Sequence, residues 1–180
     1  VQGAEAWMNV SPTSGTDNGT VTIAPANNTE KRTRSGKISI VSTLNPQLKK
    51  EITFSQAAFE FDETQESYTY EALNPGSTQV QFNGMGNWSV ENVPTWAAVS
   101  PQSGNGNAQL TITPQQNLDI RERSVTLYVT SSLNSALKKP ITLTQKAFRF
   151  NTTTEQKSYP AINPTQQSVT IECLEGWPVT

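Results

Sequence analysis

RSVTLYVTSSLNSALKKPITLTQ, Arg123–Gln145, is the stretch that decides the fold. Val125, Leu127 and Val129 alternate with Ser124, Thr126, Tyr128 and Thr130. After the turn cluster Leu133-Asn134-Ser135, Ile141 and Leu143 alternate with Thr142 and Thr144. Strict alternation is the signature of a strand with one apolar and one wet face, and two such runs around a turn predict a hairpin. The same pattern recurs upstream, with Leu110 and Ile112 set among Gln109, Thr111 and Thr113, and Val80 and Phe82 set among Gln79 and Gln81. Turn residues bound these runs at Asn74-Pro75-Gly76 and Ser103-Gly104-Asn105-Gly106-Asn107. No window holds a helical period. Short strands at this spacing predict an all-β, antiparallel β-sandwich of the immunoglobulin-like kind. Its core is expected to hold Phe61, Val80, Phe82, Trp88, Val90, Val99, Leu110, Ile112, Leu127, Val129, Ile141 and Leu143.

Working outward, the stretch has a copy. At an offset of 89 residues, VSPTSG (Val10–Gly15) falls on VSPQSG (Val99–Gly104), TIAP on TITP, and Leu48-Lys49-Lys50 on Leu137-Lys138-Lys139. Between Trp7 and Phe61, 26 of 55 aligned pairs are identical without a gap. The offset continues, matching Tyr70, Asn74, Pro75, Val80 and Trp88 to Tyr159, Asn163, Pro164, Val169 and Trp177. A period this long signals tandem domains rather than a solenoid. Taking Phe59-Glu60-Phe61 and Phe148-Arg149-Phe150 as first strands, the expected division is 1–57, 58–146 and 147–180. These are the later part of one unit, a complete unit, and the first part of a third. The alternative phase is 1–89 and 90–180, with an element exchanged between neighbours. The joint Gln145-Lys146-Ala147-Phe148 carries no flexible linker, so an extended array within a longer chain is expected.

Composition narrows the chemistry. The 180 residues carry 13 basic and 15 acidic side chains, a net charge of −2 that gives no footprint for nucleic acid. No apolar run is long enough for a membrane-spanning helix. There is no His and one Cys, Cys173. That excludes the Ser-His-Asp triad, the Cys-His pair, an intramolecular disulfide and a cluster of soft metal ligands. No cofactor and no metal is expected, and no paired carboxylates suggest a glycosidase. The chain reads as non-enzymatic.

One full unit resembles the BACON family (Bacteroidetes-associated carbohydrate-binding often N-terminal). The residues that carry this are Trp88-Ser89-Val90, then Trp96 to Gly104 with its VSPQSG, Leu110-Thr111-Ile112, Asn117, Arg121 and Arg123, and Ile141 to Gln145. Trp7, Val10-Ser11-Pro12, Gly15, Asn28, Arg32, Arg34 and Gln56 repeat the later motifs. The loop Leu44–Lys49, and its copy Leu133–Lys138, is longer than a tight hairpin. The resemblance implies secreted or cell-surface modules of gut-type bacteria, often beside carbohydrate-active enzymes. Glycans or mucin are the implied partners, with a spacer role beside them.

Candidate sites follow from exposed aromatic rings, on which the apolar C–H face of a sugar stacks. Trp88 and Trp177 share a strand face with Val90 and Val179 and read as core. Trp7 and Trp96 lie opposite the buried-looking Met8/Val10 and Ala97/Val99, and are read either as carbohydrate-binding rings or as caps on the end of the sandwich. Tyr128 points away from the core face and is the third carbohydrate-binding candidate, against an incidental surface ring. The acids Glu60, Asp62, Glu63, Glu66 and Glu71 read as a solvated face rather than a calcium site. Arg32/Arg34 and Arg121/Arg123 are expected to pair with Glu30 and Asp119, and Lys49-Lys50 and Lys138-Lys139 to charge a sheet edge. A protein-binding assembly module, using exposed sheet edges, is the alternative function.

Overall fold

A computed structural model describes residues 1–150, 154–173 and 176. The chain is all-β, with twelve strands and no helix among the described residues. It divides into two units, Val1–Phe61 and Asp62–Thr180.

The second unit carries two sheets. Strands β6 (Thr78–Phe82), β10 (Ala108–Pro114) and β8 (Ala97–Ser100) form one, in that order. The other runs β5 (Glu66–Tyr70), β12 (Lys138–Gln145), β11 (Arg123–Ser131), β7 (Asn87–Glu91), β9 (Ser103–Asn105). The β11–β12 hairpin pairs Arg123 with Gln145 and Thr130 with Lys138. Asn134 builds its turn, its carbonyl accepting from Leu137 N at 3.0 Å and its Oδ1 from Ala136 N at 3.1 Å. All pairings are antiparallel except β5 on β12, which is parallel. A parallel neighbour needs a long connection, and here nearly the whole unit lies between the two strands.

Alternation delivers the core as the sequence implies. Val80, Phe82, Leu110, Ile112, Leu127, Val129, Ile141 and Leu143 are all essentially inaccessible. Each such side chain contributes about 1.5–3 kcal/mol by leaving water. Trp88 is buried too, edge-on to Phe82 at 5.5 Å between centroids. Its indole Nε1 donates to the Gly106 carbonyl at 2.9 Å. Trp177 and Val179 lie outside the described residues. Val90 departs from expectation and is only half-buried. It lies at the end of the β7–β9 pairing, its N–H donating to the Gln102 carbonyl at 2.7 Å. Phe59-Glu60-Phe61 also departs: the strand expected there is absent, and the first strand of the unit is β5. The Phe59 and Phe61 rings are buried and stacked, 6.4 Å apart. Phe150 makes one isolated bridge, to Cys173.

The first unit repeats part of this scheme with the same register. Strands β1 (Met8–Ser11) and β2 (Thr22–Pro25) pair Met8 with Pro25, as Ala97 pairs with Pro114. Strands β3 (Arg34–Val41) and β4 (Lys49–Gln56) pair Arg34 with Gln56, as Arg123 pairs with Gln145. Both VSP motifs carry a cis Ser–Pro bond, at Ser11–Pro12 and Ser100–Pro101. Gln2 bridges Ser39 where Glu91 faces Tyr128. No strand in this unit corresponds to β5 or β6.

Candidate functional site

Trp96 precedes β8, and its carbonyl accepts from Gln115 N at 2.7 Å, which ties it to the end of β10. Its ring is half-buried. The Arg123 guanidinium lies over that ring, 4.7 Å from the centroid. Arg123 opens β11, and register places Gln145 directly across from it. The Gln145 Oε1 accepts from Arg123 Nε at 2.9 Å and from Nη2 at 2.7 Å. The Gln145 Nε2 in turn donates to the Gln115 carbonyl at 2.8 Å and to that of Glu71 at 3.0 Å. Gln145 is fully buried, so these bonds satisfy an amide that has no water. Burial lowers the Arg123 guanidinium somewhat, and the nearby Asp119 charge opposes that.

The same clamp stands in the first unit. Arg34 lies 4.5 Å over the Trp7 ring, and its Nε donates to Gln56 Oε1 at 2.9 Å. Gln56 Nε2 donates to the Ala26 carbonyl at 3.0 Å. A neighbouring Asn completes each copy. Asn117 Nδ2 donates to Arg121 O at 2.9 Å and Lys146 O at 2.8 Å, and Asn28 Nδ2 to Arg32 O at 2.8 Å and Ala57 O at 2.7 Å. The ion pairs expected between these arginines and Glu30 or Asp119 give way to this arrangement. Glutamine is the cross-strand neighbour, whereas Asp119 caps its own loop, Oδ1 accepting from Arg121 N at 3.0 Å.

Tyr128 sits elsewhere. It follows Arg123 by five residues, about 17 Å of strand, and points to the opposite face of the sheet. Its half-buried ring lies 5.6 Å from Lys138 Nζ, which also pairs with Glu91 at 2.8 Å. Tyr128 and Trp96 therefore do not form one aromatic platform. Each is a single half-buried ring with a cation over one face.

A charged cluster was not anticipated. Lys139 is fully buried, and its Nζ meets Asp62 Oδ2 at 2.9 Å, Glu66 Oε1 at 2.6 Å and the Thr64 carbonyl at 3.1 Å. The lysine doublet does not guard an edge, because β12 lies between β5 and β11 and Lys139 shares the inward face with Ile141 and Leu143. That parity was the signal available in the sequence. Thr64 donates to Asp62, and Tyr68 to Glu66. Burial works against both carboxylate charges. Hydrogen bonds from Thr64 and Lys139 to Asp62, and from Lys139 and Tyr68 to Glu66, outweigh it and hold both below their ordinary range. Burial likewise opposes the Lys139 charge, and the two acids overcome it and hold the ammonium above its ordinary value. Burial and Glu66 push the Tyr68 phenol up to about 12. Glu71 is taken by Lys146 at 2.5 Å. Among the described residues no group of His, Cys, Asp or Glu is arranged to hold a metal ion. No helix among them is long and apolar enough to cross a membrane.

Comparison with known proteins places these motifs. A family model, BACON, described as "Putative binding domain, N-terminal", matches residues 1–57 and 86–146. No curated protein matches the chain. Among solved structures, the chain is similar to one described as a Bacteroides ovatus GH5 xyloglucanase in complex with a XXXG heptasaccharide. The identity is 22%, over 51% of this chain and 19% of that one, with a TM-score of 0.43.

Proposed function

The chain belongs to the BACON family, and on that premise we propose that it is a non-catalytic, exported bacterial module that spaces neighbouring domains and binds glycan or mucin weakly. The observation that carries the binding half is the duplicated clamp, in which Arg123 fixes the Trp96 ring and Arg34 fixes the Trp7 ring. A ring held by a cation that its cross-strand glutamine fixes in turn is pre-oriented, so a sugar stacking on it loses little ring freedom. One ring per unit gives a small contact and hence low affinity, which suits a repeated module acting by multivalency. The neighbouring carboxylates Asp62 and Glu66 are both committed to Lys139.

The test is a glycan array, including mucin O-glycans and plant polysaccharides, followed by calorimetry on any hit. The double variant Trp7→Ala/Trp96→Ala should lower affinity by about tenfold or more, equivalent to about 1.4 kcal/mol. Trp7→Phe/Trp96→Phe should keep most of it, and Tyr128→Ala should matter only for ligands spanning the outer sheet face. Absence of binding by the intact chain across the array leaves the spacer role alone.

A further inference from the structure

Residues 115–123 lead from β10 into β11, and in that stretch only Asn117, Arg121 and Arg123 recur at the 89-residue offset, as Asn28, Arg32 and Arg34. The fold uses two of the three side chains. The Asn117 amide holds two carbonyls, and the Arg123 guanidinium holds Gln145 and lies over Trp96. Of Arg121 the fold uses only the backbone. Its N–H donates to Asp119 Oδ1 at 3.0 Å and its carbonyl accepts from Asn117 Nδ2 at 2.9 Å, bonds that any residue with an N–H would make. The Arg121 side chain is exposed and, among the described residues, has no hydrogen bond, ion pair or ring contact. Arg32 repeats this, giving only its carbonyl to Asn28 Nδ2 at 2.8 Å. A whole second unit follows Arg32 and it is exposed all the same, so this exposure does not come from where the chain stops.

Both unused arginines stand beside a clamp. Arg121 precedes Arg123 by two residues, at most about 7 Å of chain. Arg123 Nη2 donates to the Gln115 and Gln116 carbonyls at 3.0 Å, and Gln115 N donates to the Trp96 carbonyl at 2.7 Å. The free guanidinium and the half-buried ring therefore gather at one end of the unit. In the first unit Arg34 Nη2 donates to the Ala26 carbonyl at 2.6 Å and Ala26 N to the Trp7 carbonyl at 2.8 Å, which brings Arg32 beside Trp7 in the same way. The acids of these loops leave the guanidinium available. Asp119 turns Oδ1 to a backbone N–H, and among the described residues neither Glu30 nor Glu122 pairs with an arginine. A guanidinium is a planar fork of donors that fits two oxygens of a carboxylate or a sulfate at once.

We propose that the glycan taken at each clamp is an acidic one, its sugar ring on Trp7 or Trp96 and its carboxylate or sulfate group in the fork of Arg32 or Arg121. The proposal rests on the glycan reading of the clamp and names the class of sugar. The ring supplies the contact common to any sugar, and the arginine supplies the choice between charged and neutral ones. An exposed pair of this kind is worth about fivefold in affinity. It weakens as salt rises, because water and ions reach both partners.

The test is calorimetry of the full chain with three acidic probes, each beside its neutral counterpart. They are a sialylated mucin O-glycan and its sialidase-treated form, a sulfated one and its desulfated form, and polygalacturonate and its methyl ester. The expected result is that an acidic probe binds about fivefold tighter than its neutral form at low salt, with the gap closing as salt rises. Preference in the first or third pair assigns a carboxylate, and in the second a sulfate. Arg32→Gln/Arg121→Gln should bind acidic and neutral forms alike. Its urea midpoint should match that of the intact chain, since neither side chain has a partner in the fold. Arg32→Lys/Arg121→Lys should keep part of the preference as a point charge without the fork. Equal binding of acidic and neutral forms by the intact chain would overturn the proposal and leave the glycan reading standing. A preference that survives the double glutamine variant would overturn it too, by placing the charge recognition elsewhere. No binding of any probe would overturn both.

Discussion

Cutting back both acids around Lys139, as Asp62→Ala/Glu66→Ala, leaves an ammonium that is fully buried with only the Thr64 carbonyl for company. Removing the partners of a buried charge costs about 3–5 kcal/mol. The Asp62 and Glu66 side chains are 18% and 32% exposed. Water therefore reaches Nζ once they are shortened, and the lower end of the range applies, about 3 kcal/mol. With an m-value of about 2 kcal/mol per molar urea, the midpoint for the second unit should fall by about 1.5 M. The assay is equilibrium unfolding followed by tryptophan fluorescence, in a Trp7→Phe background that silences the first unit. Adding Lys139→Met should recover most of the loss, since an apolar side chain in that slot needs no counter-charge. The pH dependence has a worked sign. The intact cluster has lowered carboxylates, so their contribution is full above the ordinary carboxylate range and disappears as pH falls through their folded values. Lys139 is raised, so its contribution is full below about 10 and disappears as pH rises through its folded value. The double alanine variant should invert the alkaline limb, gaining stability relative to the intact chain as Lys139 sheds its proton. A double variant within about 0.5 kcal/mol of the intact chain at neutral pH would refute the reasoning. So would a triple variant no better than the double.

Three further outcomes follow from the same geometry. Gly104→Ala should destabilise the second unit by about 1–3 kcal/mol in urea unfolding, because its Cβ would press on the Trp88 ring, while Gly76→Ala, with open space at its Cβ, should cost only the strain of its positive φ. Asn117→Ala should cost about 2 kcal/mol and speed amide exchange in the loop 117–121, since Nδ2 satisfies two carbonyls in a site closed to water. Lys138→Ala should change stability by less than about 1 kcal/mol, because its pair with Glu91 is exposed and screened by salt.

What was legible in the sequence follows from which forces are local. Period-two alternation in Arg123–Gln145 reports a face of a strand, and a face is all that burial needs, so the core residues could be named. The parallel seat of β5 beside β12 is a long-range pairing, and nothing in the local pattern of Glu66–Tyr70 announces it. Lys139 was missed because its charge outweighed its parity. Lys139, Ile141, Leu143 and Gln145 form one inward row, and the row was readable, but its ionic partners lie more than seventy residues away. The arginines were misassigned for a related reason. Asp119 is near Arg121 and Arg123 in sequence, yet the hairpin register puts Gln145 straight across from Arg123, and register sets contact in a sheet.

The duplicated clamp also changes what a repeated residue means for binding. Trp, Arg, Gln and Asn recur in both units with matching partners, and each recurrence is accounted for by a ring, an amide or a carbonyl within the unit. Retention of Trp7 and Trp96 is therefore explained before any ligand is invoked. On the proposed reading, a glycan uses whatever part of the ring Arg34 or Arg123 does not cover. That separates two variants which would otherwise look alike. Arg123→Gln unties the ring without removing it, so a structural clamp alone predicts lost stability in urea and nothing more. A pre-oriented sugar platform predicts in addition weaker glycan binding by a protein that is still folded at the assay temperature.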